Sequence, residues 1–88
     1  MITRVVMPPL SETEDEGTIS RWLLKEGDKV EFGDVLLEVE SDKAVVEVES
    51  FGAGVLRKIL TEADETVPVG TLIAIIADEG EDIGEIAE

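Results

Sequence analysis

The chain contains neither cysteine nor histidine among its 88 residues. Without cysteine there is no disulfide framework and no thiolate nucleophile, and without histidine the commonest metal ligand and general base is missing. An enzyme would have to rely on carboxylates, and the 22 acidic residues offer many pairs of them. No catalytic motif accompanies any such pair. We therefore expect neither an enzyme nor a metal site.

Basic residues are also scarce, with seven lysines and arginines against 22 acidic residues and a formal net charge of -15. This charge repels phosphate backbones and anionic lipid headgroups, so neither nucleic acid nor a membrane is an expected partner. The longest apolar run, residues 72–77, is too short to cross a bilayer, and residues 1–7 are too short for a signal peptide. The expected location is the cytoplasm or an organelle matrix.

The length suits a single domain, and an apolar content of 43% allows a small packed core. We assign residues 1–79 to this domain and expect it to be a monomer in isolation. Residues 80–88 are mostly acidic residues and glycine, which is typical of a solvated tail or the start of an interdomain linker.

Short runs rich in valine, isoleucine and leucine recur between turn signals along the chain. Where apolar and acidic residues alternate, as in residues 35–40 and 45–49, each strand has an inner and an outer face. The pattern predicts an all-β domain. Its strands are expected at residues 2–7, 18–23, 35–40, 44–49, 55–60 and 72–77.

An internal repeat relates the two halves, because residues 17–40 align without a gap onto residues 54–77. Gly17 falls on Gly54 and Gly33 on Gly70, with apolar residues matching between them. Each half then encodes a strand, a turn, a short strand and a further strand. Neither half can bury an apolar face alone, so the repeat predicts two sheets packed about a pseudo-two-fold axis as a flattened barrel or sandwich.

Lys43 is the basic residue whose position is unusual. It follows Ser41 and Asp42, which are good turn formers, and it lies between two alternating runs. A tight hairpin there would carry its ammonium group at the tip. On position alone, a solvent-exposed lysine without a special role is the simpler interpretation.

A resemblance to a known family changes this interpretation. Residues 38–49, with Asp42-Lys43-Ala44 at their centre, resemble the lipoylation hairpin of the acyltransferase component of 2-oxo acid dehydrogenase complexes. The similarity extends over nearly the whole chain, including residues 7–10, 16–19, 25–28 and 54–56 and also Trp22. The family's characteristic glutamate three residues before the lysine, and its glycines sixteen before and eleven after it, fall on Glu40, Gly27 and Gly54.

The resemblance implies a flattened β-barrel of two four-stranded sheets and lipoic acid attached to Lys43 as an amide. The modified lysine would serve as a swinging arm. Its expected partners are a lipoate ligase or lipoyl transferase, a thiamine-diphosphate decarboxylase, the acyltransferase core and dihydrolipoyl dehydrogenase. Recognition by the modifying enzyme is assigned to Glu40, Asp42, Ala44, Gly27 and Gly54.

The loop formed by residues 10–16 resembles the pattern of the pyruvate complex, which usually reads Leu-Ser-Pro-Thr-Met. Here glutamate stands at positions 12 and 14, where proline and methionine are usual. We expect the loop to run near the lysine hairpin and to steer a basic surface of the decarboxylase. The residues assigned to this partner contact are Leu10, Ser11, Glu12, Thr13, Glu14, Asp15 and Glu16.

Three alternatives stay open at this stage. A biotinyl domain has the same architecture, although its lysine is usually flanked by methionines rather than by Asp42 and Ala44. The carrier protein of the glycine-cleavage system also bears lipoyl-lysine, but it is longer. The third alternative is a structural or interaction domain in which Lys43 is never modified.

Overall fold

The computed structural model of the chain describes residues 2–10, 15–41 and 44–84. Within these ranges the regular structure is eight short strands, in keeping with the recurrent apolar runs. They are β1 (Thr3–Val6), β2 (Glu16–Trp22), β3 (Lys29–Val30), β4 (Val35–Glu40), β5 (Val45–Glu49), β6 (Gly54–Ile59), β7 (Thr66–Pro68) and β8 (Leu72–Ala77).

The strands form two antiparallel sheets of four. One sheet has the order β1-β8-β6-β3 and the other the order β5-β4-β2-β7. The prediction of two four-stranded sheets is confirmed. The predicted boundaries of β4 and β8 are those observed, and the other four long strands begin and end within two residues of the prediction.

The internal repeat is reproduced strand for strand and in register. Thr18 pairs with Glu40 in one sheet. The residues 37 positions later in the chain, Val55 and Ala77, pair with each other in the other sheet. The same one-residue bulge interrupts both pairs, at Ser20 in β2 and at Arg57 in β6. The two halves therefore share their turns and bulges as well as their apolar pattern.

The core lies between the sheets and is almost entirely aliphatic. Its fully buried side chains come from both sheets, and each contributes about 1.5–3 kcal/mol by leaving water. The largest are Met7, Ile19, Leu36, Leu37, Leu56, Ile73 and Ile76. The single tryptophan, Trp22, packs against this cluster and donates its indole N–H to the Thr61 carbonyl at 2.9 Å. The N–H group of a buried tryptophan usually has a hydrogen-bond acceptor of this kind.

The strands run between two ends of the domain. At the hairpin end, β4 leads into β5 through residues 41–44. At the terminus end, Thr3 begins β1 opposite Ile76, one residue before β8 stops. A side chain at Gly52, just beyond the far end of β5, would collide with Thr3. The two ends are therefore separated by the length of β5, about 13 Å for a five-residue strand.

The segment after β8 is held by Arg57. Its guanidinium donates to the carbonyl oxygens of Asp78 at 2.6 Å and Glu81 at 2.7 Å. The Glu81 N–H donates to the Asp78 carbonyl, which closes a turn. A β-bulge changes the direction of the side chain at its position, and Arg57, at the bulge in β6, reaches the segment after β8. In the part of the chain described, no helix is long and apolar enough to cross a membrane.

Candidate functional site

The lysine hairpin is closed by its two flanking residues. Beyond the last strand pair, Glu40 with Val45, the Ser41 N–H donates to the Ala44 carbonyl at 2.8 Å. The Ser41 hydroxyl group adds two contacts: it donates to the Ala44 carbonyl at 3.0 Å and accepts from the Ala44 N–H at 3.2 Å. Only Asp42 and Lys43 lie between these residues in the sequence, and both lie outside the described residues.

The sheet beneath the hairpin presents outward-facing side chains in rows, because residues directly opposite each other in an antiparallel pair share a face. One row consists of Val45, Glu40, Thr18 and Thr66, and the row farther from the hairpin consists of Glu47, Glu38 and Arg21. On β2 and β7, the exposed Glu16 and its partner Pro68 lie one row nearer the hairpin end than Thr18 and Thr66. Glu40 was predicted from the sequence but the two threonines were not, because the pairing of β2 with β4 and β7 cannot be inferred from any one segment.

The second row contains an unequal set of charges. Arg21 and Glu38 form an ion pair at 2.8 Å. At this exposed position the pair contributes no more than about 1 kcal/mol. Glu47 stands directly opposite Glu38 on β5. Like charges in that position repel, so this row keeps a surplus of negative charge next to the hairpin.

The described ends of the 10–16 loop lie at the hairpin end. Gly17 is a close-contact position there, because a Cβ atom on it would come within 2.8 Å of Leu10 Cδ1 and 3.0 Å of Val39 Cγ1. Leu10 therefore packs beside the residue that precedes Glu40. At the other end of the loop, the Asp15 carbonyl accepts from the Val69 N–H at 2.8 Å, and Glu16 is the exposed first residue of β2. Ser11, Glu12, Thr13 and Glu14 lie outside the described residues.

The two predicted recognition glycines are not brought to the hairpin. Gly27 donates its N–H to the Leu56 carbonyl, and Gly54 lies against the last residue of β8, Ala77. Both are therefore at the terminus end. Their φ angles of 97° and 151° provide a conformational reason for glycine at each position. A role for them in recognition by the modifying enzyme stays a prediction.

The described residues also contain a groove and an aromatic pair away from the hairpin. The groove, of about 230 Å³, runs between the edge strands β1 and β5 and is lined mainly by apolar side chains, including Val5, Val48 and Phe51. Phe51 contacts Phe32 edge to face at 6.4 Å between ring centroids, and both rings are largely exposed. Among the described residues, no group of three metal-ligating side chains comes together.

Comparison with protein families agrees with this fold and hairpin. The biotin/lipoyl family model, described as "Biotin-requiring enzyme", matches residues 3–76, which is most of the chain. The chain therefore belongs to the biotin/lipoyl attachment family. The resemblance to lipoyl domains of acyltransferase components, inferred above from the sequence, is confirmed by the acetyltransferase relatives and by the lipoyl-domain structure described below.

The similar curated proteins match this chain over nearly its whole length. The dihydrolipoyllysine-residue acetyltransferase component of the pyruvate dehydrogenase complex from Zymomonas mobilis is 49% identical over 88 residues, covering 99% of this chain and 20% of that protein. The Rhizobium meliloti protein of the same name is 48% identical over 89 residues, covering all of this chain and 20% of that protein. The chain thus spans about a fifth of the length of these relatives.

A relative of a different name matches equally well. The pyruvate dehydrogenase E1 component subunit beta from Rhizobium meliloti is 47% identical over 87 residues, covering 98% of this chain and 19% of that protein.

Two solved structures share the fold. The lipoyl domain of the 2-oxoglutarate dehydrogenase complex from Azotobacter vinelandii superposes with a TM-score of 0.72 at 28% identity, covering 88% of this chain and 98% of that one. The urea carboxylase of Kluyveromyces lactis superposes with a TM-score of 0.73 at 26% identity, covering 88% of this chain and 6% of that one.

Proposed function

We propose that this domain carries lipoic acid as an amide on Lys43 and acts as a non-catalytic acyl carrier. The observation that carries the proposal is the closed pairing of Ser41 with Ala44, which leaves only Asp42 and Lys43 between two paired strands. A hairpin of this kind provides an amine on a rigid base. The Asp42-Lys43-Ala44 tripeptide, which resembles the family's lipoylation site, supports lipoic acid over biotin.

The residues around the hairpin fit a carrier better than a self-activated nucleophile. Glu40 and Glu47 lie on the outer face of the same sheet, and nearby carboxylates favour the charged form of an amine. A lysine nucleophile needs the opposite environment, one that favours its neutral form. Activation for amide formation is therefore left to the attaching enzyme, and the domain supplies position and accessibility.

A tethered carrier gains its effect from geometry. When attached, lipoic acid supplies a dithiolane whose disulfide can be reduced and whose sulfur can accept an acyl group. The lysine side chain and the lipoyl chain together reach on the order of 10–15 Å, if their bonds extend as backbone bonds do. The link to one protein turns each visit to an active site into an encounter at raised local concentration. The strands under the hairpin keep the base of the arm fixed.

The parent protein that fits best is the acetyltransferase component of a pyruvate dehydrogenase complex. Relatives of that name match along nearly the entire chain. The expected partners are then a pyruvate decarboxylase, the acyltransferase core, dihydrolipoyl dehydrogenase and the lipoate-attaching enzyme. A second candidate parent is the beta subunit of the decarboxylase itself, which the Rhizobium meliloti relative supports. The carrier role is the same in both parents.

Lys43 is expected to be the sole attachment site. Treatment of the domain with a lipoate ligase should give one lipoyl group per chain, which peptide mapping should locate on Lys43. Lys43→Arg should abolish the modification but keep its fold, because changes at solvent-exposed positions usually alter stability by less than about 0.5 kcal/mol. The matched controls Lys25→Arg and Lys29→Arg should be modified as the wild type is. Lipoate on Lys25 or Lys29, or modification that persists in Lys43→Arg, would refute the assignment.

The 10–16 loop is proposed to help the decarboxylase recognise the domain. Its described ends lie beside the hairpin, and Glu12, Glu14, Asp15 and Glu16 would attract a basic surface. The pyruvate decarboxylase should acylate the lipoylated domain faster than 2-oxoglutarate or branched-chain decarboxylases from the same source. Neutralising Glu12 and Glu14 to glutamine should slow this reaction at low salt. A preference for another decarboxylase, or rates unaffected by neutralisation, would refute a role of this loop in recognition by the pyruvate decarboxylase.

A further inference from the structure

The turn of the lysine hairpin has a counterpart in the second half of the chain. The repeat offset of 37 residues places Ser41 on Asp78 and Ala44 on Glu81. Each turn directly follows the equivalent strand, which is β4 in the first half and β8 in the second. The hydrogen bonds of the two turns can therefore be compared position by position.

The last carbonyl group of each turn accepts a side-chain hydrogen bond from a different source. In the second half, the Glu81 carbonyl accepts from Arg57, a side chain that reaches the turn from β6. In the first half, the Ala44 carbonyl accepts from the hydroxyl group of Ser41, which belongs to the turn itself. The residue of β2 that corresponds to Arg57 is Ser20, whose side chain is too short for such a contact. The lysine turn is thus held from within, by Ser41.

The hydroxyl group of Ser41 serves both main-chain polar groups of Ala44. It donates to the Ala44 carbonyl at 3.0 Å and accepts from the Ala44 N–H at 3.2 Å. A hydroxyl group can do both because it has one donor hydrogen and two acceptor lone pairs. Since Lys43 directly precedes Ala44 in the sequence, restraint of Ala44 also restrains the backbone that carries the lysine.

We infer that Ser41 is a positioning residue for Lys43: by holding Ala44, its hydroxyl group keeps the turn closed and the base of the lysine side chain in one place. The inference rests on the proposed function and adds a residue outside the Asp42-Lys43-Ala44 tripeptide. A turn that is already closed spares a docking enzyme the entropy of ordering it. Because this restraint is a property of the domain, it acts on each enzyme that uses the lysine or the group attached to it.

The first test measures the turn itself, on the unmodified domain. Ser41→Ala removes both hydroxyl contacts and keeps the hydrogen bond from the residue 41 N–H to the Ala44 carbonyl. Hydrogen bonds of this kind make modest net contributions, so amide exchange at Ala44, measured by NMR, should be about three- to tenfold faster than in the wild type.

The second test measures what the enzymes require of the turn. For Ser41→Ala, KM for the unmodified domain with a lipoate ligase should rise about three- to tenfold and kcat should hold, because a smaller fraction of the domain is in the closed conformation. After complete lipoylation, KM for the same variant with a pyruvate decarboxylase should rise by a similar factor.

Two further variants serve as controls. Ser41→Thr keeps a hydroxyl group at this position and should have the exchange rate and KM values of the wild type. Ser50→Ala removes a similar pair of contacts at the terminus end, where the Ser50 hydroxyl group bonds to the N–H and the carbonyl of Gly52. It should leave both KM values unchanged. Circular dichroism should show that each variant is folded.

Unchanged amide exchange at Ala44 in Ser41→Ala, or KM values equal to those of the wild type, would overturn the inference. A rise in KM with only one of the two enzymes would also overturn it, because Ser41 would then be a contact for that enzyme. A wild-type domain that the ligase does not modify at all would instead refute the proposed function. The exchange measurement needs no lipoate and would still test the hydroxyl restraint.

Discussion

Gly27 and Gly54 have positive φ angles for different local reasons. A Cβ atom on Gly27 would meet nothing within 4 Å. In the second half of the repeat, 37 residues further along, Asp64 occupies the corresponding place with φ of 73°, so a side chain is tolerated in this conformation. Gly54 has φ of 151°, and a Cβ atom there would come within 2.8 Å of the Ala77 carbonyl oxygen. Glycine is therefore required at position 54 because a side chain would not fit there and because the φ angle is positive.

The two glycines should therefore respond differently to the same substitution. Gly27→Asn should cost about 1 kcal/mol of unfolding free energy, because asparagine is among the residues that best accept positive φ. Gly54→Asn should cost about 3 kcal/mol or more, because strain is combined with a backbone collision. Urea denaturation of both variants measures the difference. Equal losses would contradict this explanation of Gly54. A folded Gly27→Asn domain also tests whether the attaching enzyme reads Gly27.

At the scale of elements, Arg57 connects the barrel to the segment that follows it. Its two hydrogen bonds to carbonyl oxygens hold residues 78–81 against β6. The corresponding bulge residue in the first half is Ser20, whose side chain is too short for this role. The bulge is therefore shared by both repeats, whereas the clamp belongs to the second half.

Loss of the Arg57 clamp should loosen the segment after β8 with little effect on the barrel. Hydrogen bonds from a charged group are worth about 1.5–3 kcal/mol, so Arg57→Gln should increase local opening roughly tenfold or more. A glutamate-specific protease under native conditions should cut after Glu79 and Glu81 faster by a similar factor. Lys58→Gln, at the exposed neighbouring residue, is the matched control. Equal cleavage rates in both variants would show that Arg57 does not restrain this segment.

The strand elements were predictable where local pattern decides them. The apolar runs at β4 and β8, each following a glycine-containing turn, gave the observed boundaries. The equivalence of β1 with β5 was not predictable. Arg4 and Val5 of β1 pair with β8 at the positions where Glu47 and Val48 of β5 pair with β4. Of these two equivalent positions, only the one with valine has the same residue in both strands. This equivalence comes from pairing with distant strands and not from sequence likeness.

The candidate site was predictable to a similar extent. Alternation and turn formers indicated the hairpin, and the described pairing of Ser41 with Ala44 fits it. The row of Val45, Glu40, Thr18 and Thr66 on the outer sheet face was not predictable, because Thr18 and Thr66 meet only through the order of strands in the folded sheet. The placement of Gly27 and Gly54 at the terminus end likewise depends on long-range packing.

At the scale of the whole molecule, the two ends of the barrel carry different features. At the hairpin end, Ser41 and Ala44 close the turn, and the carboxylates of Glu40 and Glu47 lie on the outer sheet face beside it. The terminus end contains the first residues of β1, the end of β8 and the turn that Arg57 holds. The two ends are about 13 Å apart along β5, so in the proposed carrier role the segments at the terminus end do not cover the hairpin.

Reductive acylation of the lipoylated domain tests the central claim, that this domain is a lipoyl carrier with its arm on Lys43. The lipoylated wild type, incubated with a pyruvate decarboxylase, its thiamine diphosphate and pyruvate, should gain one acetyl group per chain in its intact mass. Lys43→Arg, treated with the ligase and the decarboxylase in the same way, should gain none. No acetyl gain by the lipoylated wild type with any 2-oxo acid decarboxylase, or an acetyl gain by Lys43→Arg, would contradict the claim.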